Sequence, residues 1–264
     1  VKAPAESLRR RLWISQKEVF CMGVENRLPV RVLICGDSIS AGVVYDEQAG
    51  RYMKSKESFV CRLQNSLNCV ITNISRFGNT ILTALPKLSR DLSKETPDVV
   101  LIELGGNDCD FKWDEIARNP EADYQPATDL RVFQSKLLQT ALSLKEKGIE
   151  PVLMTLPPLD PDRYLRWVSK NSAELAEKIL VWLGSVSRIY WWHERYNAAV
   201  LKVAQTLGVR LIDLRSAFLS TPDFRKYLCM DGIHPNRDGH RLISDAIADY
   251  LRENYPLLLK PSIA

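Results

Sequence analysis

Residues 32–42 read VLICGDSISAG. The four apolar residues Val32 to Cys35 have the composition of a buried strand, and Gly36-Asp37-Ser38 ends it with a sharp turn that carries two polar side chains. Ser38 then has two readings. It is a helix N-cap, because serine is among the preferred capping residues, or it is a nucleophile displayed at the carboxyl end of a strand. A lone serine is too common to choose between them.

Outward from this stretch, short β-rich runs alternate with longer helical patterns, which predicts βαβ units and a parallel sheet. The expected strands cover residues 30–35, 69–74, 98–104, 150–156 and 209–214. Two of them, DVVLIEL and PVLMTL, are apolar at successive positions, as strands covered by helices on both faces are. Helical patterns fall at 58–67, 80–92, 128–148 and about 236–253. In the third of these Leu130, Phe133, Leu137, Leu138, Ala141 and Leu144 share one face, and Gly148 stands where a C-terminal cap belongs. Two connections exceed what a crossover requires, 109–127 and 157–207, and the second is long enough for two or three extra helices. Trp113, Trp167, Trp182, Trp191 and Trp192 all fall in them. These residues either line a ligand pocket or form the core of a helical subdomain. With no repeat and no low-complexity linker, residues 1–264 are expected to form one domain.

The totals exclude several classes. A chain of 264 residues, 45% hydrophobic and 26% charged, has the composition of a globular protein with a full core. Its net charge of +4 is too small for a nucleic-acid footprint. The one basic run, Arg9-Arg10-Arg11, reads as a solvated leader. No apolar stretch reaches the length of a membrane span, and the first residues lack the apolar core of a secretory signal. The sequence starts at Val1, so a trimmed signal is the alternative. Six cysteines, at 21, 35, 61, 69, 109 and 229, form no CxxC pair, which suits buried thiols in a reducing, cytoplasmic setting.

Serine chemistry needs a base, a group that orients it, and donors for the oxyanion. Only three histidines are present. His193 lies in IYWWHERYN, where Asn197 replaces the second histidine of HExxH, and reads as a partly buried helical residue. His240 follows Gly239 at the start of the last helix. His234 lies in DGIHPNRDGH, three residues after Asp231. That spacing lets the Asp231 carboxylate curl back onto one ring nitrogen and leaves the other to face Ser38. Alternatively Asp231 and Asn236 only shape a turn. FGNT at 77–80 follows the second strand, and Gly78 there permits close approach of a backbone N–H. LGGND at 104–108 follows the third, which places the neutral Asn107 amide at the same sheet edge as Ser38. Each of these segments also has an ordinary turn reading; their meeting at one edge is what favours chemistry.

The four blocks GDSIS, FGNT, GGND and DGIHP, in this order over residues 36–235, resemble those of the SGNH/GDSL hydrolase superfamily. The resemblance implies an α/β fold, a flavodoxin-like three-layer α/β/α sandwich with about five parallel strands and helices on both faces. It implies Ser38 as nucleophile, His234 as base and Asp231 as its partner, with the N–H groups of Ser38 and Gly78 and the Asn107 amide as oxyanion hole. The Gly-x-Ser-x-Gly elbow of another hydrolase class is absent, because Ser40 occupies its second glycine position. The expected activity is hydrolysis of an acyl or acetyl carboxylic ester, a small-molecule substrate, through an acyl-serine intermediate, with no cofactor and no metal. The alternatives are a thioesterase or lysophospholipase-type acyl hydrolase, a silent binding protein of the same fold, and a metal hydrolase using Asp231, His234, Asp238 and His240. Oligomeric state is left open.

Overall fold

The computed structural model describes residues 29–255. The basic run at 9–11 and Cys21 lie outside the described residues. Five strands, β1 (Val30–Gly36), β4 (Cys69–Asn73), β5 (Val99–Glu103), β6 (Glu150–Met154) and β7 (Arg210–Ile212), form one parallel sheet in the order β4-β1-β5-β6-β7. Each coincides with a strand expected from sequence. Between β1 and β4 lies an element the sequence reading missed, an antiparallel hairpin of β2 (Val43–Asp46) and β3 (Arg51–Lys54), in which Tyr45 pairs with Tyr52.

Alternation along the strands sorts the core into two layers. Leu33 and Cys35 of β1, Val100 and Ile102 of β5, and Leu153 of β6 face one way. There they meet α2 (Ile81–Leu92), α4 (Leu130–Glu146) and α7 (Ser187–Leu207). Val32, Ile34, Val99, Leu101, Val152 and Met154 face the other way, against α1 (Phe59–Ser66), α8 (Leu214–Leu219) and α9 (Arg237–Asn254). The result is the expected α/β/α sandwich. Every one of these strand residues is buried, which is why the strands read as continuous apolar runs.

The two long connections build a third cluster over the carboxyl edge of the sheet. It contains α3 (Trp113–Arg118), α5 (Pro161–Val168), α6 (Ala173–Leu183) and the first turns of α7. The second connection divides its packing between two cores. Tyr196, Ala199, Val200, Val203 and Ala204 of α7 pack on the main sheet, so the later part of that helix is an ordinary crossover and the insertion proper ends near its start.

Candidate active site

Ser38 lies directly after β1, and no helix follows it. The N–H of Ala41 donates to Asp37 O and that of Val43 to Ser38 O, both at 2.9 Å, and the chain enters the β2–β3 hairpin. Helix capping by Ser38 is thereby ruled out. The local cap is Asp37 instead, whose Oδ1 accepts the Ile39 N–H at 2.9 Å and tightens the turn. Gly36 is required for close packing: a Cβ there would stand 2.6 Å from the Ser40 side chain and 2.8 Å from Glu103 O.

The structure brings Ser38, His234 and Asp231 together across 196 residues of chain. His234 Nε2 is 2.9 Å from Ser38 Oγ, and Nδ1 is 2.7 Å from Asp231 Oδ2. The other carboxylate oxygen accepts the N–H groups of Ile233 and His234, both at 3.0 Å. Burial alone would raise the Asp231 pKa. The His234 hydrogen bond and charge, with the two backbone donors, reverse this and hold the carboxyl below its usual value. Asp231 is thus an acceptor whose orientation is fixed before any substrate arrives. The loop that carries the pair is anchored at both ends. Gly232 O accepts from Asp160 N at 2.8 Å, and Asn236 caps α9 by accepting from Asp238 N and Gly239 N.

Tyr52, from the missed hairpin, joins this group. Its hydroxyl donates to Asp231 Oδ2 at 2.8 Å, and its ring lies 4.9 Å from the His234 imidazole. Phe77 stacks on the imidazole from a distance of 6.0 Å. The signal available in the sequence was the pair of β-forming runs VVY and RYM around the turn DEQAG.

The proposed oxyanion donors lie close by. Gly78 has φ of +73°, open to glycine, and a Cβ there would meet nothing within 4 Å. Among the described residues neither its N–H nor that of Ser38 donates to a protein acceptor. Asn107 Nδ2 gives one hydrogen to Asp37 Oδ2 at 3.2 Å and keeps the other. Asp108, the last residue of that block, does something sequence reasoning did not assign. It is fully buried and its carboxylate accepts the Ile81 N–H at 2.9 Å, so it ties the loop after β5 to the start of α2 and hence to Gly78. Burial raises its pKa to about 6, against the hydrogen bond from the Ile81 N–H.

A cavity of about 590 Å³ opens beside Ser38, Asn107 and His234. Its far walls are Phe111, Trp113, Tyr164, Trp182, Leu183 and Trp192, so Trp113, Trp182 and Trp192 both line a pocket and belong to a subdomain core, while Trp167 lines the pocket alone. Trp191 does neither and is half exposed. Within the wall, Trp113 Nε1 and Tyr164 Oη both donate to Asp110 Oδ1 at 2.7 Å. His193 also borders the cavity, and burial, reinforced by Arg215, lowers its pKa to about 3 and keeps it neutral. His240 is not part of the site: its Nδ1 accepts the Phe59 N–H, and burial lowers its pKa to about 4. Asp238 pairs with Arg241 at the surface. No helix among the described residues is long and apolar enough to cross a membrane.

Comparison with known proteins bears on the fold and the family. Similarity to the arylesterase of Vibrio mimicus is 29% identity over 55% of this chain and 64% of that protein. Similarity to the thioesterase 1/protease 1/lysophospholipase L1 of Escherichia coli K12 is 25% identity over 84% of this chain and 83% of that one. Among solved structures, the lipase/acylhydrolase of Enterococcus faecalis superposes with a TM-score of 0.59 at 19% identity, over 89% of this chain and all of that one. An acetylxylan esterase of Geobacillus stearothermophilus gives 0.56 at 19% identity, with the same coverage. At these identities the structural matches speak for the fold. Residues 34–242, a span that takes in the Ser38 turn, the Asn107 loop and the Asp231–His234 pair, match the GDSL-like Lipase/Acylhydrolase family, and the chain belongs to that family.

Proposed function

We propose that this chain cleaves carboxylic esters through an acyl-serine intermediate, with Ser38 as nucleophile, His234 as base and Asp231 as the group that orients it. The single observation that carries the proposal is the hydrogen-bonded series from Ser38 Oγ through both ring nitrogens of His234 to Asp231, at 2.9 and 2.7 Å. Nδ1–H donates to Asp231, so Nε2 holds the lone pair that accepts the serine proton. As Oγ attacks the ester carbon, that proton passes to Nε2, and the carbonyl oxygen takes the negative charge. The N–H groups of Ser38 and Gly78 and the second N–H of Asn107 are the donors assigned to it. Collapse of the adduct breaks the bond to the alcohol, which leaves with the proton from Nε2. Water then repeats the sequence on the acyl-serine, and the acid is released.

Ester hydrolysis is the chemistry named for the Vibrio arylesterase, and acyl transfer to water is common to the names of the other relatives. The cavity points to the substrate's size. About 590 Å³ lies within the roughly 300–1,000 Å³ of ordinary ligand pockets, and a two-carbon acyl group would leave most of it empty. The lining supports a bulky apolar group on the acyl or the alcohol side. The thiols of Cys35, Cys109 and Cys229 are buried, which supports a reducing, cytoplasmic setting.

Hydrolysis of p-nitrophenyl esters from acetate to palmitate, by wild type and by Ser38→Ala, tests the reading. Activity lost with Ser38 and an optimum beyond acetate are expected. Activity retained without the Ser38 hydroxyl would remove the acyl-serine step, and a sharp preference for acetate would remove the large-substrate reading.

A further inference from the structure

Glu103 ends β5, and the mechanism above has no use for it. Its side chain is wholly buried, as that of Asp37 is to within 2%. Both residues border the same cavity, and the Asp37 charge acts directly on the Glu103 carboxyl. Around the pair stand Ser40 from the turn, Cys35 from β1, Asn107, Asp108 and Cys109 from the loop after β5, and His234. Among these only His234 can carry positive charge. Glu103 Oε2 accepts from Ser40 Oγ at 2.9 Å, while Oε1 is buried without a donor. Two ionised carboxylates in such a place repel each other and are unsolvated, and one retained proton removes both penalties. In keeping with this, burial and the neighbouring Asp37 charge push Glu103 well above the ordinary carboxyl range.

Asp37 connects the pair to the reacting centre. Its Oδ1 takes the Ile39 N–H at 2.9 Å, and its Oδ2 takes Asn107 Nδ2 at 3.2 Å. Gly106 makes room, since a Cβ there would stand 3.3 Å from Oδ2. We infer that Glu103 is a positioning residue: held protonated, it donates from Oε1 to Asp37 and so fixes the carboxylate that aims the Asn107 amide at the oxyanion. The inference rests on the acyl-serine reading and on Asn107 as an oxyanion donor.

A kinetic cycle with Glu103→Gln, Glu103→Leu, Asn107→Ala and the Leu/Ala double variant tests it, with Tm recorded for each. The Gln amide can accept from Ser40 and donate to Asp37, so it should keep kcat to within about threefold, whereas Leu should lower kcat about tenfold or more with little change in KM. In the Asn107→Ala background the Leu effect should vanish, because the group it positions is gone. Equal losses for Gln and Leu, or a Leu effect as large without Asn107 as with it, would overturn the inference. If Asn107→Ala alone costs nothing, the oxyanion assignment fails instead, which separates the two readings. Should Glu103→Leu not fold, the infrared difference between wild type and Glu103→Gln at neutral pH decides. A protonated-carboxyl stretch lost in the variant supports the shared proton, and its absence from wild type refutes it.

Discussion

Replacing Asp231 by Asn probes the triad where the structure leaves least freedom. Oδ1 receives the N–H groups of Ile233 and His234, both at 3.0 Å, so the amide oxygen of Asn must take that position. An NH₂ there would face two donors. The Asn NH₂ is therefore forced into the place of Oδ2, 2.7 Å from His234 Nδ1 and 2.8 Å from the Tyr52 hydroxyl. One hydrogen goes to Nδ1 and the other to the Tyr52 oxygen, whose own proton turns to the cavity that Tyr52 lines. No buried donor loses its partner, and the fold survives. The imidazole, however, now carries its proton on Nε2, 2.9 Å from Ser38 Oγ, and cannot accept another. The loss in kcat should be of order 10⁴, about 5 kcal/mol of transition-state stabilisation. Steady-state kinetics on a p-nitrophenyl ester, with Tm measured on the same samples, checks this. A kcat within tenfold of wild type, in a variant whose Tm shows it folded at the assay temperature, would refute the tautomer argument.

Four other outcomes follow from the same contacts. Tyr52→Phe removes an O–H donor from Asp231 but leaves its two backbone donors and the His234 contact. Its cost should be about 10- to 150-fold in kcat, matching the roughly 1.5–3 kcal/mol of a hydrogen bond to a charged group; a loss as large as that of Asp231→Asn would make the phenol an essential part of the relay. Asp231, with its folded pKa depressed, contributes stability above the ordinary carboxylate range that is lost as pH falls through the folded value. The Tm gap between wild type and Asp231→Asn should accordingly close on acidification, and a constant gap would contradict the assignment. Asp108 has the opposite sign: raised to about 6, its contribution is full below the ordinary range and is lost as pH rises through about 6. The Tm of wild type minus that of Asp108→Asn should fall over that window, where a flat difference would place the carboxylate in water. Gly36→Ala drives a methyl into Ser40 and the Glu103 carbonyl, and denaturant unfolding should register a loss of about 1–3 kcal/mol together with lost activity; unchanged stability would mean the turn relaxes freely.

The centre of the sheet was legible because β1, β5 and β6 are buried on both faces and leave continuous apolar runs, and the candidate site was legible because its polar groups sit at strand ends or beside a helix cap. Ser38 follows β1, Asn107 follows β5, and His234 precedes α9 by the length of a Pro-Asn cap. Such positions are marked locally by glycine, proline and capping residues. The hairpin was not read, because β2 and β3 are four residues each and half-exposed, with too short an alternation to stand out from a loop. The division of the second connection between two cores is hidden for another reason. Helix α7 is apolar along a face that serves two cores, the cap cluster through Ile189 and the sheet through Tyr196 to Ala204, and periodicity does not say where one partner gives way to the next.

The groups that hold the site in shape differ in kind from those that react. Tyr52 reaches Asp231 from 179 residues away, Asp108 caps a helix 27 residues upstream of it, and Glu103 meets Ser40 across 63 residues. None of these three acts through its own neighbours in the chain, so even Asp108, which lies inside the GGND block, has a partner that the block does not reveal. They share one physical requirement instead. A carboxylate removed from water must receive donors from whatever backbone or side chain the fold brings near. Asp231 receives four hydrogen bonds, counting both from His234, and its pKa stays low. Glu103 receives one, beside a second carboxyl group, and its pKa rises. In the proposed mechanism the same residue chemistry thus yields a fixed negative charge that orients the base and a proton-retaining acid that orients the oxyanion donor. The number of donors each carboxyl meets in the fold decides which role it takes.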